Sequence, residues 1–203
     1  MKRFFASLLL TLLVVSAFGQ NIVSDFASSL KGHKASFDYS FSVKGDLPLS
    51  GKGKVSLQGD AFTMTGNGLE VYCDGSTRWT VDTAAEECYI EGVDGEIDYE
   101  ANPALLVGAV DKAFTLKKTS TTTFKSKKVT AAYMEPKTKG TNFKSVILYF
   151  SGSTLEGASI TVTDGTVTEI VVSGMKLSEP QAKRTFSFDT KKLSKNYIVT
   201  DLR

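Results

Sequence analysis

A single histidine in 203 residues leaves little room for acid–base chemistry. His33 closes an apolar-periodic segment with no nucleophile motif beside it, so it reads as a surface side chain. The chain has no G-x-S-x-G elbow, no H-E-x-x-H pair and no phosphate-binding P-loop. Carboxylates are plentiful, but no recognisable catalytic frame pairs them, and a hydrolase would need a nucleophile that is missing. Only two cysteines occur, Cys73 and Cys88, and they lack metal-ligand spacing. These absences argue for a protein that is not an enzyme and takes no cofactor.

An excess of charge of one sign is absent too. The 24 basic residues include Lys2 and Arg3 of the leader described next; without those two, basic residues balance the 22 acidic ones. A chain near neutrality gives no electrostatic case for nucleic acid. No apolar run reaches the roughly 20 residues that a membrane-spanning helix needs. The longest, residues 4–15, follows Met1-Lys2-Arg3 and precedes Ala17-Phe18-Gly19, a small-x-small cleavage pattern. Residues 1–19 are therefore expected to be a cleaved secretory signal peptide, leaving a soluble domain over residues 20–203. No cysteine follows the cleavage site to serve as a lipid-attachment point.

What is present is alternation. Between Gly51 and Glu91 five short runs have period two: Val55 and Leu57; Phe62 and Met64; Leu69, Val71 and Cys73; Trp79 and Val81; Cys88 and Ile90. The breaks are Gly59-Asp60, Gly66-Asn67-Gly68, Asp74-Gly75-Ser76 and Asp82-Thr83-Ala84-Ala85, residues that accept positive φ or close Asx turns. Such a meander has an apolar face that the rest of the chain must cover. In a plain meander Cys73 and Cys88 both flank the Trp79 strand and stand about 9.6 Å apart. That exceeds disulfide reach unless twist or a bulge closes the gap, so a Cys73–Cys88 bridge is disfavoured and both thiols are expected to be buried.

Residues 21–30 read as a helix with one apolar stripe, Ile22, Val23, Phe26, Ala27 and Leu30, ended by Lys31-Gly32. Residues 35–43 alternate without a fault and make an aromatic-faced strand: Ala35, Phe37, Tyr39, Phe41 and Val43. Residues 92–100 carry Asp94, Glu96, Asp98 and Glu100 without EF-hand spacing, which favours a solvated acidic loop over a Ca²⁺ loop. Asn102-Pro103 opens a second short helix, apolar nearly all round, over residues 104–110. Further strands follow around Phe114, Val129, Val146, Ile160 and Val167, with a hydroxyl-rich strand or loop at residues 119–123 and an Asp164-Gly165 hairpin. Residues 184–189 and Tyr197-Ile198-Val199 close the chain as strands. The expectation is one mainly β domain of about eleven strands and two helices. Its aromatics fill an ordinary core or, if the sheet is strongly curved, leave a lipid-sized apolar cavity.

The ordered motifs Cys73-Asp74-Gly75-Ser76-Thr77-Arg78-Trp79, Asn102-Pro103-Ala104-Leu105-Leu106, Met134-Glu135-Pro136-Lys137, Asp164-Gly165 and Phe186-Ser187-Phe188 resemble the periplasmic outer-membrane lipoprotein carrier family, LolA. The resemblance implies an open, strongly curved antiparallel half-barrel with short helices over its concave apolar face. It implies a soluble periplasmic carrier, likewise without a cofactor, that takes acylated lipoproteins from an inner-membrane ABC transporter to an outer-membrane acceptor. Other lipids, or a protein partner of an envelope module, are the alternative cargo. On this reading the acyl-chain cavity is expected to be lined by Phe37, Phe41, Val55, Leu57, Phe62, Trp79, Val81, Leu105, Leu106 and Phe150. Pro103, Leu105 and Leu106 form the lid, and the carrier acts as a monomer. Two positions depart from the family pattern. Gln58-Gly59 stand where many members have a basic residue and a proline, a residue linked to holding the lid closed, and Met64 stands where a tryptophan occurs.

Overall fold

The computed structural model describes residues 22–45, 48–93, 103–108 and 110–203, with only the backbone of residues 103–105. The expected leader and most of the acidic loop, residues 94–100, lie outside the described residues, as does Asn102. Twelve strands form one sheet. They are β1 Lys34–Lys44, β2 Leu49–Gln58, β3 Ala61–Gly66, β4 Leu69–Cys73, β5 Thr77–Asp82, β6 Glu87–Gly92, β7 Phe114–Phe124, β8 Lys127–Pro136, β9 Phe143–Ser151, β10 Thr154–Val162, β11 Val167–Ser178 and β12 Ile198–Asp201. The order across the sheet is β12-β6-β5-β4-β3-β2-β1-β11-β10-β9-β8-β7. Two antiparallel meanders thus meet where β1 pairs with β11, and β12 is added in parallel along the free edge of β6. The mainly β, half-barrel architecture expected from the sequence is what the chain adopts, with one strand more than the expected eleven.

Turn chemistry sets these registers. The Asp74 carboxylate accepts from the backbone N–H of Ser76 (3.0 Å) and Thr77 (2.9 Å). Asp82 does the same for Ala84 and Ala85, and Asp164 for Thr166. Each Asx turn reverses the chain within a few residues. The β7–β8 hairpin closes on Lys125-Ser126, both at positive φ (46° and 66°), the conformation of a type I′ turn. Where β1 meets β11, Gly174 (φ 63°) makes a bulge, so two residues of β11 oppose Phe37.

Helix α1, Ile22–Leu30, buries Val23, Phe26, Ala27 and Leu30. Its expected stop holds: Gly32 takes φ 76°, and the N–H of His33 bonds the Leu30 carbonyl at 3.2 Å. The second expected helix is a 3₁₀ segment, Pro103–Gly108, followed by a single α turn, α2, Val110–Ala113. Residues 184–189 are not a strand. Lys183–Phe186 is a 3₁₀ turn that packs against β3, and a second 3₁₀ turn follows at Thr190–Lys192. This C-terminal strap crosses the sheet before β12 joins its edge. Residues 119–123 resolve as part of β7, an edge strand with few apolar side chains.

Candidate functional site

Directly paired residues of neighbouring strands share a face, so the register sorts every side chain. The inner face carries Phe37, Tyr39 and Phe41 of β1, Val55 and Leu57 of β2, Phe62 and Met64 of β3, and Val71 and Cys73 of β4. Across β11 to β8 it continues through Ile170, Val172, Ala158, Ile160, Val146, Leu148, Phe150, Ala132 and Met134. Helix α1 lies on this face. Phe26 meets Phe150 edge-on, ring centroids 5.5 Å apart, and Leu106 and Val107 of the 3₁₀ segment join the same cluster.

Of the sequence-predicted lining residues, Phe37, Val55, Leu57, Phe62, Leu106 and Phe150 come together in this one cluster, all buried. Phe41 packs against it and is half-buried. Trp79 and Val81 do not join it, which corrects their placement on this face. Trp79 pairs with Tyr72 and Val81 with Cys88, so both point to the outer face. There Val81, Cys88 and Ile90 form a second cluster with Trp79, covered by Phe188, Leu193 and Tyr197 of the strap. The side chains of Pro103 and Leu105 lie outside the described residues.

The two ends of the inner face differ. At the end where β1 starts and β2 finishes, Ala35, Phe37, Val55 and Leu57 are at most 4% exposed, as are Phe150 and Leu155. At the opposite end Tyr39, Phe41, Val43, Met64, Leu116, Phe143 and Val162 are only half-buried, and Leu49 and Leu69 stand 59% and 37% exposed at its rim. The half-buried aromatics lie flat on glycine. Tyr39 and Phe41 stack with ring centroids 6.3 Å apart. An added Cβ would come 2.6 Å from the Phe41 ring at Gly51, and 2.8 and 2.9 Å from the Tyr39 hydroxyl at Gly53 and Gly66. From sequence Tyr39 shares the aromatic strand face with Phe41, but only Phe41 was expected to line the cavity; Gly51 by Phe41 and Gly53 and Gly66 by Tyr39 were not singled out. The signal was their direct pairing, which becomes visible once the β1–β2 register is known.

The outer face is held differently. The Gln58 side chain binds the strap twice, donating to the Gln181 carbonyl at 2.9 Å and accepting from its N–H at 2.7 Å. The residue standing where the family pattern has a basic side chain is therefore a clasp for the strap. Ser187 donates to the Asp74 carboxylate at 3.2 Å, and Tyr72 meets Phe188 at 4.9 Å. Burial opposes ionisation of Asp74, but hydrogen bonds from Thr77, Ser76 and Ser187 outweigh it and hold the carboxyl below its usual range. Burial, a hydrogen bond to Glu70 and the charge of that carboxylate push the Tyr72 phenol up to about 12. Cys73 belongs to the inner cluster and Cys88 to the outer one; both are free, and burial pushes both thiols up.

An open cleft of about 540 Å³ lies over the middle of the sheet, lined by Asp38, Ser40, Lys52, Lys54, Thr65 and Ser173 around Tyr39, Gly53 and Gly66. The six polar residues fall on the outer face by register, whereas Tyr39, Gly53 and Gly66, which also line the cleft, belong to the inner face. Among the described residues no group of three or more His, Cys, Asp or Glu side chains is placed to hold a metal ion, and no helix is long and apolar enough to cross a membrane. The inner face is thus a continuous apolar surface, closely packed at one end and half-buried at the other.

Residues 28–189 match the family described as outer membrane lipoprotein carrier protein LolA. No curated protein matches the chain in sequence. Among solved structures, an uncharacterized conserved protein from Thermus thermophilus superposes with a TM-score of 0.54 at 10% identity, over 88% of this chain and 96% of that one. A LolA superfamily protein from Nitrosomonas europaea gives 0.44 at 8% identity, over 85% and 99%. A putative outer membrane lipoprotein-sorting protein domain from Vibrio parahaemolyticus gives 0.41 at 11% identity, over 83% and 95%. At 10% identity the likeness to the Thermus thermophilus protein is one of fold.

Proposed function

The chain belongs to the LolA family of outer membrane lipoprotein carrier proteins, and from that premise we propose that it is a non-enzymatic periplasmic carrier that shields lipoprotein acyl chains between the inner and outer membranes. The observation that carries this reading is the half-open apolar shelf of Tyr39, Phe41, Met64 and Val162, which continues a closed core toward an apolar rim. A monomeric protein with an ordinary filled core has no need of such a shelf. An acyl chain laid along it contributes about 0.8 kcal/mol for each buried CH₂. A chain of ordinary lipid length is then held without any charged contact, and the 3₁₀ segment Pro103–Gly108, packed on the closed end beside Leu57, is the lid that lifts as the chain extends past the shelf. Loading from an inner-membrane ABC transporter and unloading to an outer-membrane acceptor complete the proposed cycle. They supply the change in contacts that releases a cargo bound by burial alone.

The rival reading is an envelope module that binds a protein partner over a filled core. The tightly packed half of the inner face, with Leu106 only 2% exposed, is what favours it. Leu106 is therefore a poor test position, because a charge there would be buried in the main core and would threaten the fold itself. Phe41 is half-buried and serves better. Phe41→Glu should leave cooperative unfolding intact while lowering affinity for a diacylated peptide at least tenfold. Equal affinity in this variant would count against the shelf as the acyl site.

A further inference from the structure

Tyr39 breaks the apolar character of the shelf. Its ring belongs to the inner face, paired across to Gly53, and its edge packs against the main cluster. Its hydroxyl stands over Gly53 and Gly66, where an added Cβ would come within 2.8 and 2.9 Å of it. No other side chain can take that space without displacing the phenol. The hydroxyl has no hydrogen-bond partner among the described residues, although burial is enough to raise its pKa above the ordinary value. Among the described residues no buried side-chain oxygen lacks a partner, so the Tyr39 hydroxyl is open to water, or to a ligand that displaces the water. A phenylalanine would cover the same glycines with no polar group to satisfy. The two other tyrosines with raised pKa values, Tyr72 and Tyr89, each donate to a carboxylate two residues away, at 2.8 and 2.6 Å. Tyr39 alone of these three has its donor left open, and it is the one that faces the proposed cargo.

We propose that the Tyr39 hydroxyl donates a hydrogen bond to the carbonyl oxygen of the acyl ester or amide of the bound lipid, so that the site selects carbonyl-linked acyl chains over plain alkyl chains. This rests on the carrier reading and narrows its ligand class. An apolar pocket with a single placed donor fixes where along its length a ligand sits, because the chain beyond the carbonyl slides freely and the carbonyl does not. The packing over Gly53 and Gly66 keeps the ring from turning away, which lowers the entropy lost when the bond forms.

The test compares the wild type and Tyr39→Phe with two probes of equal chain length, a dioleoyl glycerol ester and the corresponding dioleyl glycerol ether, by displacement of a hydrophobic dye. The proposal expects the variant to bind the ester roughly threefold to tenfold more weakly, the net worth of one hydrogen bond, and the ether with unchanged affinity. It also expects the ligand-free variant to unfold at the same temperature as the wild type or a higher one, because an unpaired hydroxyl has been replaced by an apolar edge. Equal losses for both probes, or a lowered unfolding temperature with no contrast between ester and ether, would assign Tyr39 a packing role and overturn the inference while leaving the carrier reading in place. Failure of the wild type to bind either probe would remove the carrier reading, and this inference with it.

Discussion

At Gly53 an added Cβ would overlap the Thr65 carbonyl oxygen of the neighbouring strand, and at Gly66 it would approach the Lys52 carbonyl at 2.6 Å. These two glycines face each other across β2 and β3, so the close approach of the strands and the flat seat for Tyr39 share one cause. Gly53→Ala should therefore cost about 2 kcal/mol or more, in the range of an overpacked core, read as a lower urea midpoint. An unchanged midpoint would show that the strand pair has slack. A second residue-scale expectation concerns Tyr72. Its phenol is held up to about 12, against an ordinary value of 10.0. The unfolded chain would ionise there first, so this contribution to stability is complete below pH 10 and is lost as pH rises from 10 through about 12. Ultraviolet titration of wild type against Glu70→Gln should show one late-titrating tyrosine that moves earlier in the variant. A Tyr72 signal already complete near pH 10 would contradict the assigned hydrogen bond.

Among the elements, the strap is attached by a few discrete contacts: the double bond of Gln58 to Gln181, the Ser187–Asp74 bond, buried Phe186, and Phe188 with Leu193 and Tyr197 over Trp79. Elements held this way open below the global unfolding free energy. Phe188→Ala should red-shift the emission of Trp79, the chain's one tryptophan, and speed amide exchange in β5 and β6. Exchange in α1, which packs on the other face against Phe150, should not change. Uniform acceleration across the whole chain would mean that the strap and the inner core unfold as one. The same element explains the main misplacement from sequence. The run holding Trp79 and Val81 reads as apolar alternation, and a single apolar face was the simplest assumption. Parity across the Asp74–Thr77 turn depends on its register, which the residues alone do not declare. Nothing in residues 183–192 marks them as a cover rather than a strand, because Phe186 and Phe188 satisfy strand alternation equally well. The Lys125-Ser126 turn was illegible for a related reason: it takes two positive φ values without the Asn or Gly that usually signals them. By contrast α1, β1 and the turns at Asp74, Asp82 and Asp164 were legible because stripe, alternation and Asx chemistry are local.

For the molecule as a whole, the sheet is covered on both faces by different means. Helix α1 and the 3₁₀ segment close one end of the inner face, and the strap closes part of the outer face. What stays open is a shelf of aromatic and aliphatic side chains running to a rim with exposed Leu49 and Leu69. Six of the ten residues named from sequence as cavity lining sit together in the buried cluster of this face, and Phe41 lies on the shelf. The division between closed floor and open mouth was not readable, since Phe37 and Phe41 look alike in an alternating run. It arises from where α1 comes to rest across strands distant in sequence. The proposed role requires acyl chains to occupy this face. Native mass spectrometry of the protein taken from a bacterial periplasm, with lipid extraction of the same sample, tests it most directly. A bound species carrying acyl chains at close to one per protein molecule, lost in Phe41→Glu, is expected. A clean ligand-free mass that stays unchanged after addition of a diacylated peptide would contradict it.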